Sequence, residues 1–202
     1  MNKTFVEELG MKGHLTIHKV VDGSEELIYD ENNVIVSGFG WALSHLYGLI
    51  GSNKITDYQI DRFQLGVSGN VTNQLASTYQ LSGPLSSTDE YLSQSDSNLN
   101  SFTSDVYLNG SVDTQVFAKI PYTKVTRIDN RSVRYTIFVD EDSCNDLTRN
   151  GNDAPLNEIG LFLKNPRGKT NDESVLAAYR YFSNITKTSD FGLVFRWTIS
   201  FA

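Results

Sequence analysis

The end of the chain constrains the fold most. Phe191, Leu193, Phe195, Trp197, Ile199 and Phe201 stand at every second position, and Gly192, Val194, Arg196, Thr198 and Ser200 fill the places between. A period of two sends alternate side chains to opposite faces of a strand. Six large apolar side chains on one face require a buried face, so this strand is expected at the centre of a core.

The rest of the chain repeats that period in shorter runs. Residues 14–21 set Leu15, Ile17 and Lys19 against His14, Thr16 and His18, and residues 27–36 continue as a strand. Asp22-Gly23 between these runs is a hairpin signal. Residues 60–67, 132–139, 157–164 and 175–182 read as further strands. Residues 115–128 read as one long run, with a bend or edge position at Pro121 because proline donates nothing to a ladder. In one place the period changes: Trp41, Leu43, Leu46, Tyr47 and Ile50 recur at helical spacing. Ser37 suits an N-cap and Gly51 a stop, which predicts a helix of about 12 residues. Its apolar stripe is expected on the sheet, with His45 on the polar side. The expected fold is mainly β, an antiparallel β-sandwich with one amphipathic helix packed on it and a long polar excursion.

That excursion divides the chain. Residues 1–70 and 116–202 are expected to form a single β-sandwich domain, and 71–115 a polar insertion or assembly arm. Between Ser86 and Thr114, eight of 29 residues are serine. Ser87-Thr88-Asp89-Glu90 has the form of a capping box, which suggests a short helix at 88–94. Leu75, Tyr79, Leu81, Leu85, Tyr91, Leu92, Leu99, Phe102, Tyr107 and Leu108 are spaced as anchors, not as a core face. Ordering such a segment costs ~1–2 kcal/mol per residue in backbone entropy, and burial returns only ~25 cal/mol per Å². A partner surface, such as a second copy of the chain, is expected to supply the missing burial.

Charge narrows the partners. The net charge is −7, which argues against binding a phosphate backbone. Residues 63–118 hold no Lys or Arg, whereas the C-terminal part carries Lys119, Lys124, Arg127, Arg131 and Arg134. This asymmetry is compatible with head-to-tail self-association. No run approaches the ~18 apolar residues that span a bilayer, and the first ten residues lack the apolar stretch of a signal peptide, so a soluble protein is expected.

Chemistry finds little purchase. Cys144 is the one cysteine, so neither an intrachain disulfide nor a cysteine zinc cluster forms, and it reads as an incidental thiol. His14 and His18 lie about 13 Å apart along one strand face, too far to share an ion. The stretch 140–146, with 150–153 after it, is dense in oxygen ligands but lacks the EF-hand glycine and glutamate, and reads as a solvated loop. Gly66-Val67-Ser68-Gly69 is not a nucleophile elbow, and Gly38-Phe39-Gly40-Trp41 is not a nucleotide fingerprint. No catalytic, cofactor-binding or metal residue is expected. Trp41 and Trp197 fall on core faces, away from any glycan. Asn157 and Glu158 are expected to tie a loop, and Gly160 to admit another backbone or the helix.

The run Leu156-Asn157-Glu158-Ile159-Gly160-Leu161-Phe162-Leu163 is followed by Leu176-Ala177-Ala178-Tyr179-Arg180-Tyr181-Phe182, then Ile185-Thr186-Lys187 and the final strand. This order resembles the C-terminal section of bacteriophage structural proteins of the tail, collar-fibre and baseplate kind. Glu31-Asn32-Asn33-Val34-Ile35-Val36 before a glycine and a helix is similar to their opening, and Phe63-Gln64-Leu65-Gly66-Val67-Ser68-Gly69 to one of their strands. The resemblance implies a non-enzymatic virion protein of the tail, neck or baseplate. Its partners are then copies of itself and other virion proteins, without nucleic acid or membrane. The alternatives are a capsid decoration or head-fibre protein, and a module for a host-surface glycan using Tyr79, Tyr91 and Tyr107.

Overall fold

A computed structural model describes residues 10–48, 58–85, 90–91, 106–108, 116–163 and 174–201. Among the described residues, thirteen strands and one α-helix follow in the order β1 (Lys12–Val21), β2 (Ser24–Ile35), α1 (Ser37–Gly48), β3 (Ile60–Gly66), β4 (Glu90–Tyr91), β5 (Val106–Leu108), β6 (Val116–Lys119), β7 (Val125–Arg127), β8 (Ser132–Val139), β9 (Leu147–Arg149), β10 (Asn152–Asp153), β11 (Leu156–Leu163), β12 (Val175–Ile185) and β13 (Gly192–Ser200). Ten of them make one sheet in the order β5-β6-β3-β11-β12-β2-β1-β13-β8-β7; β10-β9-β4 make a smaller one. All pairings are antiparallel.

The large sheet curls on itself into a sandwich-like arrangement. β2 forms the corner: it pairs along most of its length with β1, but with β12 only at Val34–Tyr179 and Ile35–Ala178. Leu15, Ile17, Leu193, Phe195, Trp197 and Ile199 from one half share a core with Phe63, Leu65, Ile159, Leu161 and Phe182 from the other. Burying each such side chain contributes roughly 1.5–3 kcal/mol. The last strand therefore does what its alternation requires. Lys19, in phase with Leu15 and Ile17, holds its ammonium 4.4 Å from the Phe191 ring centroid.

Local signals explain several elements. Asp22 and Gly23 take φ of 48° and 78°, the left-handed pair that a two-residue hairpin needs. β11 is buried on both faces. Ile159, Leu161 and Leu163 enter the main core, while Phe162 joins Val36, Leu81, Leu176 and Tyr179 in a second cluster.

Four expectations need correction. Residues 115–128 do not form one strand: β6 pairs with β3 and β5, β7 pairs with β8 at the far end of the sheet, and the turn starting at Pro121 begins the crossing. Glu90 and Tyr91 are extended and pair with Thr148 and Leu147, so no helix covers them; 88–89 and 92–94 lie outside the described residues. In α1, Trp41, Leu43 and Leu46 of the expected stripe pack half-buried on the core beside buried Ala42, but Tyr47 is 86% exposed; Ile50 and Gly51 lie outside the described residues. Gly160 admits side chains, not backbone: an added Cβ there meets Leu176 Cδ1 and Leu81 Cδ1 at 2.7 Å.

Candidate functional site

Three places gather polar chemistry or exposed apolar surface. The first is built on Asn157 and Glu158 at the start of β11. The Gly69 amide donates to Asn157 Oδ1 at 2.8 Å, and Asn157 Nδ2 donates to Asn184 Oδ1 at 3.2 Å. The wholly buried Glu158 carboxyl accepts from the amides of Ser82 (2.9 Å) and Gly83 (2.6 Å) and from the Tyr179 hydroxyl (2.9 Å). Burial, and then the neighbouring Glu158, push the Tyr179 phenol above its ordinary range. The expected loop tie is thus real, and it holds the start of the excursion. Leu81 and Leu85 are buried there, and the amides of Val67 and Leu85 donate to Gly83 O and Leu65 O. These two leucines anchor the excursion on its own domain. Leu75 and Tyr79 stay exposed. Leu92, Leu99 and Phe102 lie outside the described residues, and only the backbone of Tyr91, Tyr107 and Leu108 is described.

The second place is the loop 140–146. It is not the solvated loop expected, since Ser143, Cys144 and Asn145 are buried. It wraps a cation that the protein itself supplies. Lys187, 2% exposed, donates from Nζ to Asn145 Oδ1 and Thr188 O, both at 2.8 Å, and to Glu141 O at 3.4 Å. Asn145 Nδ2 donates to Glu141 O at 2.5 Å, and the Asp146 amide donates to Lys187 O at 2.8 Å. Asp140 Oδ1 is buried without a hydrogen-bond partner. Burial holds the Lys187 ammonium below the usual lysine range, against the opposing pull of Cys144, Asp140, Glu141 and Asp142. Cys144 is no incidental surface thiol. It sits in the core with φ of 58°, and burial pushes its thiol up to about 12.

The third place is the outer face and rim of the β2-β1-β13-β8-β7 half. Cross-strand register sets Leu27, His18, Val194 and Phe138 in one row across four strands. Leu27 is 51% and Phe138 50% exposed, and Ile28 and Val21 are exposed beside them. At the rim, the turn before β7 and the β7–β8 hairpin expose Tyr122, Lys124, Arg127, Ile128 and Arg131. Lys119 stands apart from this basic group, on β6. Among the described residues, β7 and β5 are the two outermost strands of the sheet.

The histidines are dispersed. His14 Nε2 lies 2.6 Å from Asp30 Oδ1, His18 lies between Thr16 and Glu25, and the His45 ring stacks on Trp41 at 4.2 Å. No cluster of metal-ligating side chains occurs among the described residues. Trp41 is half-buried: it packs against the main core and also lines a cleft of about 420 Å³ with Ser37, Tyr79, Ser174 and Leu176. A cleft of about 520 Å³ lies where β1 and β2 diverge, lined in part by Asn33 and Gln74. Buried polar atoms of both side chains lack partners.

Sequence reading missed Lys187, Asn145 and Asp140 as a group, because 42 residues separate the first two. The one available signal was the density of side-chain oxygens in the loop, which is what an enclosed ammonium needs. No family model, curated protein or solved structure matches this chain.

Proposed function

We propose that this chain is a non-enzymatic structural subunit of a bacteriophage virion, of the tail, neck or baseplate. It works by packing edge to edge against copies of itself and against other virion proteins. The observation that carries the reading is the contrast between the two rims of the ten-stranded sheet. Among the described residues, one ends in β7, beside exposed Lys124, Arg127 and Arg131; the other ends in β5, inside the stretch that holds no Lys or Arg but contains Asp89, Glu90, Asp96, Asp105 and Asp113. Unpaired strand edges are templates for pairing with another chain, and opposite charge on the two rims favours a head-to-tail contact. Such a contact is heterologous and builds rings or open arrays, the forms that tubes and collars require. The resemblance of residues 156–187 to phage tail proteins supports the same reading. Mass spectrometry of purified particles should find the chain in several copies per virion. Its absence from the particle would refute the proposal.

A second reading rests on a separate observation. Tyr79 is 74% exposed and lines the same cleft as Trp41, so two aromatic rings face one groove. Paired rings with hydroxyls beside them are suited to a sugar ring, which is the host-glycan alternative. A glycan array probed with the wild-type chain and with Tyr79→Ala tests it; binding that survives the substitution removes this site from consideration.

A further inference from the structure

We propose that Lys187 and Asn145 form an intramolecular isopeptide bond, with Asp140 carrying the proton. The reacting partners are already in place. Lys187 Nζ lies 2.8 Å from Asn145 Oδ1, one bond away from the side-chain carbonyl carbon it would attack. Both residues are almost wholly enclosed, at 2% and 3% exposure. The hydrogen bond from Asn145 Nδ2 to Glu141 O keeps the amide from rotating away. Phe191 presents its ring 5.3 Å from Nζ, so the amine is walled from bulk water on that side. Asp140 has a buried carboxyl oxygen with no hydrogen-bond partner, and it interacts electrostatically with Lys187. The Lys187 ammonium gives its hydrogens to Asn145, Thr188 and Glu141 and forms no ion pair with Asp140, so the unpartnered oxygen must turn toward the amine to serve as its base.

The step balances without an oxidant or cofactor. Asp140 takes one proton from the Lys187 ammonium, and the freed Nζ electron pair attacks Cγ of Asn145. The carbonyl electrons move onto Oδ1, giving a tetrahedral carbon that bears both nitrogens. Asp140 returns its proton to Nδ2, and the proton still in excess on Nζ leaves with the departing nitrogen. The Cγ–Nδ2 bond breaks as the carbonyl reforms. An ammonium side chain and a primary amide become a secondary amide and an ammonium ion, and Asp140 ends as it began. Burial favours the neutral amine that attacks, in keeping with the lowered affinity of Lys187 for its proton. A cleft of about 160 Å³, lined by Lys187, Asp146 and Cys144, adjoins the site and offers ammonia a way out. The product ties the loop after β8 to the segment after β12. Both flank strands that pair with the β13 core or with β11, so the bond staples the domain against pulling forces. This inference is independent of the virion reading.

Intact-mass measurement of the folded, purified full chain decides it. The expected mass is that of the sequence less one ammonia. Trypsin should then yield a branched peptide joining 135–149 to 181–196, uncleaved after Lys187 because its amine is acylated. Asp140→Asn should keep the full mass while remaining folded, as should Asn145→Ala. A folded wild-type chain that holds its full mass after days at neutral pH overturns the proposal. So does a loss of ammonia without the branched peptide, since an Asn145-Asp146 succinimide has that mass. A branched peptide in Asp140→Asn overturns the role given to Asp140.

Discussion

At the scale of single residues, the buried carboxyl of Glu158 governs the loop beside β11. It accepts two amide hydrogens and one hydroxyl hydrogen, and nothing on it donates in return. Glu158→Gln turns one of those oxygens into an NH2 group facing donors. The expected loss is ~1–3 kcal/mol, the cost of leaving a buried donor unmet, read as a lower urea midpoint. An unchanged midpoint would show the three bonds to be dispensable. Tyr135 supplies a pH test. Burial raises its phenol from 10.0 to about 12. Folding thus favours the protonated phenol, and this contribution is whole below pH 10 and lost as pH rises to about 12, because the unfolded chain ionises first. Tyr135→Phe should flatten that part of the alkaline decline, measured as urea midpoints at pH 7, 10 and 12. Parallel curves for the two proteins would assign the decline elsewhere. The tie made by Asn157 and Glu158 was legible from a polar pair placed before an apolar strand. The partners of Glu158 were not, because Ser82, Gly83 and Tyr179 lie 76, 75 and 21 residues away.

At the scale of elements, period decided what could be read. β1, β8 and β13 alternate in sequence and send Leu15, Ile17, Ile137, Val139, Leu193, Phe195, Trp197 and Ile199 into the core, although Gly192 and Val194 on the other face of β13 are buried too. β11 is enclosed on both sides, so alternation could not say which residues face which cluster. α1 follows its apolar stripe at Trp41, Leu43 and Leu46 and departs from it at Tyr47. Its apolar positions suited a helix, but the face that meets β12 is set by Gly38, where an added Cβ would lie 2.0 Å from Leu176 O. That close approach seats the first turns and leaves Tyr47 outside. Glycines also seat the excursion. A Cβ on Gly66 would lie 2.5 Å from Glu158 Oε1 and 2.6 Å from Gly83 O, the second of which is backbone and cannot swing aside. Gly66→Ala is therefore expected to cost ~1–3 kcal/mol as an overpacked site. Hydrogen exchange should quicken at the Val67 and Leu85 amides, which bond across that contact. Unchanged protection there would mean that the excursion is held by Leu81 and Leu85 alone.

At the scale of the whole molecule, the rims of the sheet carry the argument for assembly. A contact between a basic rim and an acidic one is screened by salt, with a Debye length of ~8 Å at physiological ionic strength and ~3 Å at 1 M. Sedimentation equilibrium should show self-association that weakens as salt rises. Lys124→Glu with Arg131→Glu, both at exposed positions, should abolish it while moving the urea midpoint by no more than ~0.5 kcal/mol of stability. Association that strengthens with salt would point instead to the apolar row from Leu27 to Phe138.

The sequence alone determined the class of fold, because a two-residue period with large apolar side chains has only one place to go, the inside of a β structure. It also determined the β1–β2 hairpin, since Asp-Gly supplies the left-handed turn, and the imbalance of charge along the chain. Tertiary structure decided where those features meet. Curling brought Leu15 and Trp197 of one half against Leu65 and Leu161 of the other. It carried the basic hairpin and the Lys- and Arg-free strand to opposite rims, and it drew Lys187 into the loop that holds Asn145. Period and composition are local quantities, whereas each of these meetings joins segments separated by tens of residues, and only the packed chain sets that distance.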